Sequence, residues 1–96
     1  MFILLTYDIN TETAEGRKRL HKIATTCERY GSRVQASVFE LLISPAELES
    51  LKIELAKQIN KETDSIRLYR LGKNYKPKIS ILGKTTKIEA GEPLIL

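Results

Sequence analysis

The chain has 96 residues, 42% hydrophobic and 29% charged, a size and balance that set one small globular domain. A single cysteine, Cys27, excludes an internal disulfide and fits a reducing compartment. With only one histidine beside it, the usual zinc ligand sets are excluded within one chain as well. The net charge is +4 with a pI near 9.3, which makes polyanions the natural partners. No apolar run approaches the roughly 20 residues of a bilayer span, and "MFILLTYD" lacks the basic region of a secretory signal, so the expected location is the cytoplasm.

The first element is "FILLTYD", read as a strand buried on both faces and ending on Asp8. A polar connection follows, and a helix is expected from about Ala14 to Tyr30. Its apolar stripe is Leu20, Ile23, Ala24, Cys27 and Tyr30, with Gly31 at the C-cap position. Its basic residues lie largely off that stripe. "RVQASVFELLIS" then alternates as a strand does, with Arg33, Gln35, Ser37 and Phe39 on one side. No turn dipeptide marks its middle, so one bent strand and a tight hairpin both remain open.

The segment "SPAELESLKIELAKQIN" carries the clearest helix. Ser44 is the N-cap, Pro45 the first helical residue and Glu47 the partner in a capping box, and Leu48, Leu51, Leu55 and Ile59 form the buried stripe. "DSIRLYRLG" reads as a strand, with Ile66 and Leu68 on one face and Arg67 and Tyr69 on the other. A basic loop "KNYKPK", the apolar "ISIL", a turn at "GK", "TTKI" and a tail "PLIL" complete the chain. With a hairpin in the middle, this order is βαββαβ, an α+β ferredoxin-like sandwich over residues 1–78. Residues 79–96 are then surplus, and apolar strands outside a complete sheet pair with exposed edges. A homodimer with those segments crossing to the partner subunit's sheet is therefore expected. Oligomerisation would also complete the stability of so small a chain.

Charge is segregated along the chain. Arg17 to Arg33 holds six basic residues and one acidic, and Ser65 to Ile88 holds seven basic residues and none acidic. Between them, Val34 to Asp64 holds six acidic and three basic. An RNA-recognition module is disfavoured, because Tyr7 and Phe39 lack the glycine–aromatic spacing such modules use. There is no phosphate-cradling glycine loop and no Ser/His/Asp arrangement. Asp8 remains, at the carboxyl end of the first strand. Its simpler reading is a turn carboxylate. In a C₂ dimer, however, two copies could supply the paired carboxylates that a hard divalent cation takes together with phosphate oxygens.

"TYDI", "RLHKIATTCERYGSRVQASVFE" and "DSIRLYRLG" resemble the CRISPR-associated small endonucleases, the second of the two universal adaptation proteins. "YGSRVQASVFE" is the most specific part. The resemblance spans nearly the whole chain. It implies a ferredoxin-like homodimer with its last strand added to the partner's sheet, and Mg²⁺-dependent cleavage of phosphodiester bonds in RNA or DNA, attributed to Asp8. It also implies a place between CRISPR integrase subunits during spacer acquisition. Mn²⁺ is a possible substitute ion.

The candidate site is then Asp8 as catalytic and metal-binding residue. Arg17, Arg19, Arg33, Lys73, Lys76 and Lys78 are expected on phosphates, and Ser37 and Phe39 in support. His21 reads as helix surface, and Tyr7 and Cys27 as core. A competing reading is a non-catalytic dimeric adaptor that binds duplex DNA and bridges integrase subunits, using the basic second half and the "PLIL" tail.

Overall fold

A computed structural model describes residues 1–84 of the chain. The elements run β1 (Phe2–Asp8), α1 (Ala14–Glu28), β2 (Gly31–Gln35), β3 (Val38–Leu42), α2 (Pro45–Gln58) and β4 (Ser65–Gly72), followed by a 3-10 turn at Lys76–Lys78. The four strands form one antiparallel sheet in the order β2-β3-β1-β4. This is the expected ferredoxin-like arrangement. The expectations for "TTKI" and "PLIL" concern residues 85–96, outside the described residues.

The open question in the middle resolves as a tight hairpin. Gln35 pairs with Val38 around Ala36 and Ser37, and a bulge lies between Arg33 and Gln35. No non-glycine residue among those described has a positive φ, so the turn needs none of the dipeptides that usually announce a hairpin. The bulge also resets the alternation. Arg33 lies over the Phe39 ring, whereas Gln35 lies with Val34 and Glu40 beside residues 79–82. The expectation that Arg33 and Gln35 share a face is therefore corrected.

Gly31 is a second correction. The helix ends with Arg29 as its cap, and Gly31 opens β2 opposite Leu41. A Cβ there would strike the Glu40 carbonyl oxygen and the Leu41 side chain, so close strand approach, not helix termination, requires glycine.

α2 begins as its sequence specifies. The Glu47 N–H donates to Ser44 Oγ at 3.2 Å and the Ser44 N–H donates to Glu47 Oε1 at 2.9 Å. Leu48, Leu51 and Leu55 are buried against Ile3, Leu5, Tyr7, Ile23, Cys27, Phe39 and Leu41 in one core between the helices and the sheet. Burial pushes the Cys27 thiol up to about 12, so it is an inert core residue at neutral pH. A smaller cluster stacks Phe2 on Tyr75 at 4.4 Å, with Leu71, Ile79 and Ile81 around it. The predicted "ISIL" strand is reduced within this chain to a single bridge at Ile81.

Both helices cover the same side of the sheet. The other side presents Leu4, Thr6 and Asp8 from β1, Val38, Glu40 and Leu42 from β3, and Arg67 and Tyr69 from β4, as the strand registers require. Leu4, Thr6, Val38 and Glu40 are half-buried and Leu42, Arg67 and Tyr69 exposed. β1 is thus buried on both faces at its start, where Phe2 on the helix-free side lies under Tyr75, and on its helix side only toward Asp8, where Leu4 and Thr6 are half-buried and Asp8 exposed. The expectation of two buried faces is corrected for that part.

Gly16, in the first turn of α1, packs so tightly on the loop after β1 that a Cβ would collide with the Asn10 carbonyl oxygen. Gly16→Ala should lower stability by roughly 1–3 kcal/mol, measured by denaturant unfolding, since backbone rather than a flexible side chain must give way. Unchanged stability would show that α1 can slide freely on this loop.

Candidate functional site

Asp8 is the last residue of β1, paired with Ser65, the first of β4. Strand alternation carries Tyr7 into the core and Asp8 to the opposite side, exposed. A shallow depression around it is lined by Thr6, Tyr7, Asp8, Ser65, Arg67 and Tyr69. Arg67 Nη1 donates to the Tyr69 hydroxyl at 3.4 Å, holding a cation on the strand next to the carboxylate. Ser65, Arg67 and Tyr69 were not singled out from sequence. Their alternation was legible, but their neighbourhood with Asp8 depends on the register of β4 against β1.

The Asp8 carboxylate has no hydrogen-bond or ion-pair partner among the described residues. No group of three or more His, Cys, Asp and Glu side chains able to hold a metal occurs there either. One unpartnered carboxylate beside a serine hydroxyl fits a hard cation that takes one or two carboxylates and fills its remaining positions with phosphate oxygens and water. It does not fit a zinc site, nor any ion needing a cage from a single chain.

Asp64 shows the opposite condition one residue before Ser65. Its side chain is fully buried and accepts hydrogen bonds from the Asn10 N–H at 3.0 Å, the Asn60 N–H at 2.9 Å, the Thr63 hydroxyl at 3.1 Å, and Arg19 Nε and Nη2 at 2.8 and 3.3 Å. The Arg19 guanidinium, which outweighs the cost of burial, and then the Asn60, Asn10 and Thr63 donors hold its carboxyl far below the usual carboxylate range. Asp64 is therefore a clamp between the loop after β1 and the loop before β4. Arg19, expected on phosphate, is turned inward as its partner.

Arg17 and Arg33 do come together. They line a groove between α1 and the hairpin, with His21, Leu20, Ala24 and Ala36. Arg17 Nη1 donates to the Thr11 carbonyl at 3.1 Å, and the Arg33 guanidinium lies 5.2 Å over the Phe39 ring. Phe39 itself is fully buried, so its contact with Arg33 is made from inside the core. The Tyr7 hydroxyl donates to the Ala36 carbonyl at 3.1 Å and the Tyr7 N–H to the Ser37 carbonyl at 3.1 Å. These bonds fix the hairpin turn beside Asp8, and Ser37 lines a depression with it.

Lys73, Lys76 and Lys78 follow β4, whose far end pairs with Phe2, so Asp8 and these lysines occupy opposite ends of the sheet. Lys78 Nζ donates to the Leu71 carbonyl at 3.0 Å. Among the described residues no helix is long and apolar enough to cross a membrane.

Residues 1–79 match the family model described as CRISPR associated protein Cas2. The chain is 48% identical over 95 residues, 99% of both chains, to the "CRISPR-associated endonuclease Cas2" of Halalkalibacterium halodurans. It is 45% identical over 96 residues, the full length of both, to the "CRISPR-associated endoribonuclease Cas2 1" of Moorella thermoacetica. The crystal structure of Streptococcus pyogenes Cas2 at pH 6.5 superposes with a TM-score of 0.77 at 52% identity, covering 86% of this chain and all of that one.

Proposed function

Because the chain belongs to the Cas2 family of CRISPR-associated proteins, we propose that it is a metal-dependent nuclease of spacer acquisition. In this reading it hydrolyses phosphodiester bonds with two Asp8 carboxylates brought together across a homodimer axis. The observation that carries the reading is the single exposed, unpartnered Asp8 at the end of a sheet whose other face is free of helices. In this reading half the catalytic set is in one chain, and the face through which a second copy can approach is partly apolar through Leu4, Val38, Leu42 and Tyr69, with residues 75–82 lying over its Phe2 and Glu40. β4 is an edge strand, so residues 79–96 of the partner have a place to add to the sheet.

The Asp8 carboxylates would hold Mg²⁺, or Mn²⁺ in its place. Such an ion supplies Lewis-acid charge to a phosphoryl oxygen and eases deprotonation of the attacking water. The chain's own residues do the rest. Arg67, steadied by Tyr69, faces the depression and offers N–H donors where negative charge grows on the phosphorus oxygens. The Asp64–Arg19 clamp and the Tyr7 bonds to the hairpin keep the loops around Asp8 from drifting. Arg17 and Arg33 receive the sugar–phosphate backbone on the helix side.

A second reading, an adaptor that holds duplex DNA between integrase subunits without cutting it, draws on Lys73, Lys76 and Lys78, which lie away from Asp8. Purified protein assayed on RNA, single-stranded DNA and duplex DNA, with Mg²⁺ or with EDTA, separates the two. Cleavage that requires the metal and follows dimer content in sedimentation supports the nuclease. Tight duplex binding with no cleavage of any substrate overturns it.

A further inference from the structure

Arg67 stands between two partners on the helix-free face of the sheet. In the β1–β4 register Asp8 lies opposite Ser65, Thr6 opposite Arg67 and Leu4 opposite Tyr69. Ser65, Arg67 and Tyr69 share one side of β4. Arg67 is therefore the diagonal neighbour of Asp8 across the strands and the next side chain along its own strand from Tyr69, and a long side chain spans either distance. All three line the same depression. The guanidinium takes the tyrosine. Arg67 Nη1 donates to the Tyr69 hydroxyl at 3.4 Å, and no ion pair joins Arg67 to Asp8.

That choice has a chemical consequence. A carboxylate that takes a hard cation has to be free of other cations when the metal arrives. An arginine turned onto Asp8 neutralises it and competes with the metal directly. The apparent affinity for the metal then falls with the fraction of carboxylates still free. Exposed ion pairs are weak, and a hydrogen bond of 3.4 Å is long. The two positions of the guanidinium therefore lie close in energy, and one hydroxyl is enough to tip them. Held through Nη1 alone, Arg67 keeps its other N–H groups for phosphate; turned onto Asp8, it is lost to the phosphate and the carboxylate is lost to the metal.

We propose that Tyr69 sets the metal affinity of Asp8 by holding Arg67 off the carboxylate, a positioning residue that acts through the arginine. The assignment rests on the nuclease reading for the metal itself, but the competition is measured by metal binding with no substrate present.

The test titrates Mn²⁺ into the full-length dimer without nucleic acid and reads the free ion by electron paramagnetic resonance. Tyr69→Phe should weaken Mn²⁺ binding about three- to fivefold. Arg67→Gln should bind Mn²⁺ at least as tightly as the parent, and adding Tyr69→Phe to it should change nothing further. Tyr69 is exposed, so loss of its hydroxyl leaves the core intact, and sedimentation of each variant follows dimer content. In metal-free protein, the Arg67 Nε–H resonance should respond to Asp8→Asn more strongly in the Tyr69→Phe background than in the parent.

An equal loss of affinity from Tyr69→Phe with and without Arg67 would overturn the proposal. So would a loss that merely follows dimer content. Asp8-dependent Mn²⁺ binding that is indifferent to Tyr69→Phe overturns the role of Tyr69 alone, whereas a parent that binds Mn²⁺ no better than Asp8→Asn overturns the metal reading and this one together.

Discussion

Asp8→Asn should lower Mg²⁺-dependent cleavage by at least about 100-fold, the range seen when a group that stabilises transition-state charge is removed. The amide keeps the size of the side chain and loses its charge, so cation affinity falls without a steric change. Stability should move by no more than about 0.5 kcal/mol, because the side chain is exposed and has no partner to leave behind. Single-turnover cleavage and a thermal melt on the same preparation check both halves. Cleavage at the parent rate would remove Asp8 from the chemistry. A collapse of the melt would make it a structural residue instead.

Asp64→Ala should do the reverse, with a large loss of stability as its first effect. The substitution leaves the Arg19 guanidinium and the N–H groups of Asn10 and Asn60 without their acceptor in a partly buried place, and donors left unmade there are costly. A drop in melting temperature of more than about 10 °C is expected at neutral pH. The folded carboxyl is held below its ordinary value. Its contribution is therefore fully present above the unfolded value of 3.8 and is lost as pH falls from there toward the depressed folded value. The parent should accordingly lose stability steeply below about pH 4, and Asp64→Asn should be less stable at pH 7 yet show a shallower acid slope. A parallel slope in both proteins would assign acid sensitivity to other carboxylates.

What could be foreseen depended on whether its causes were local. Ser44, Pro45 and Glu47 define the start of α2 within four residues, and Leu48, Leu51 and Leu55 define its buried side. The hairpin at Ala36 and Ser37 could not be foreseen, because its turn uses ordinary backbone conformations and its bulge erases the period-two signal that would mark the faces. Asp8 was identifiable as the residue where an apolar strand stops. The company it keeps was not: Arg67 and Tyr69 reach it through a β1–β4 register that itself contains an irregularity at Phe2 and Ile3. Arg19 illustrates the same limit from the other side. It reads as one more cation on a basic helix, and only the fold supplies the acidic partner 45 residues away.

The helix-free face of the sheet has a genetic consequence. If catalysis draws one carboxylate from each of two identical chains, a cell carrying equal amounts of normal and Asp8→Asn protein would assemble only about one quarter of its dimers with both carboxylates intact. The defective allele would then act as a dominant one, poisoning mixed dimers rather than merely diluting the good ones. Only an allele that also blocks association would behave as recessive.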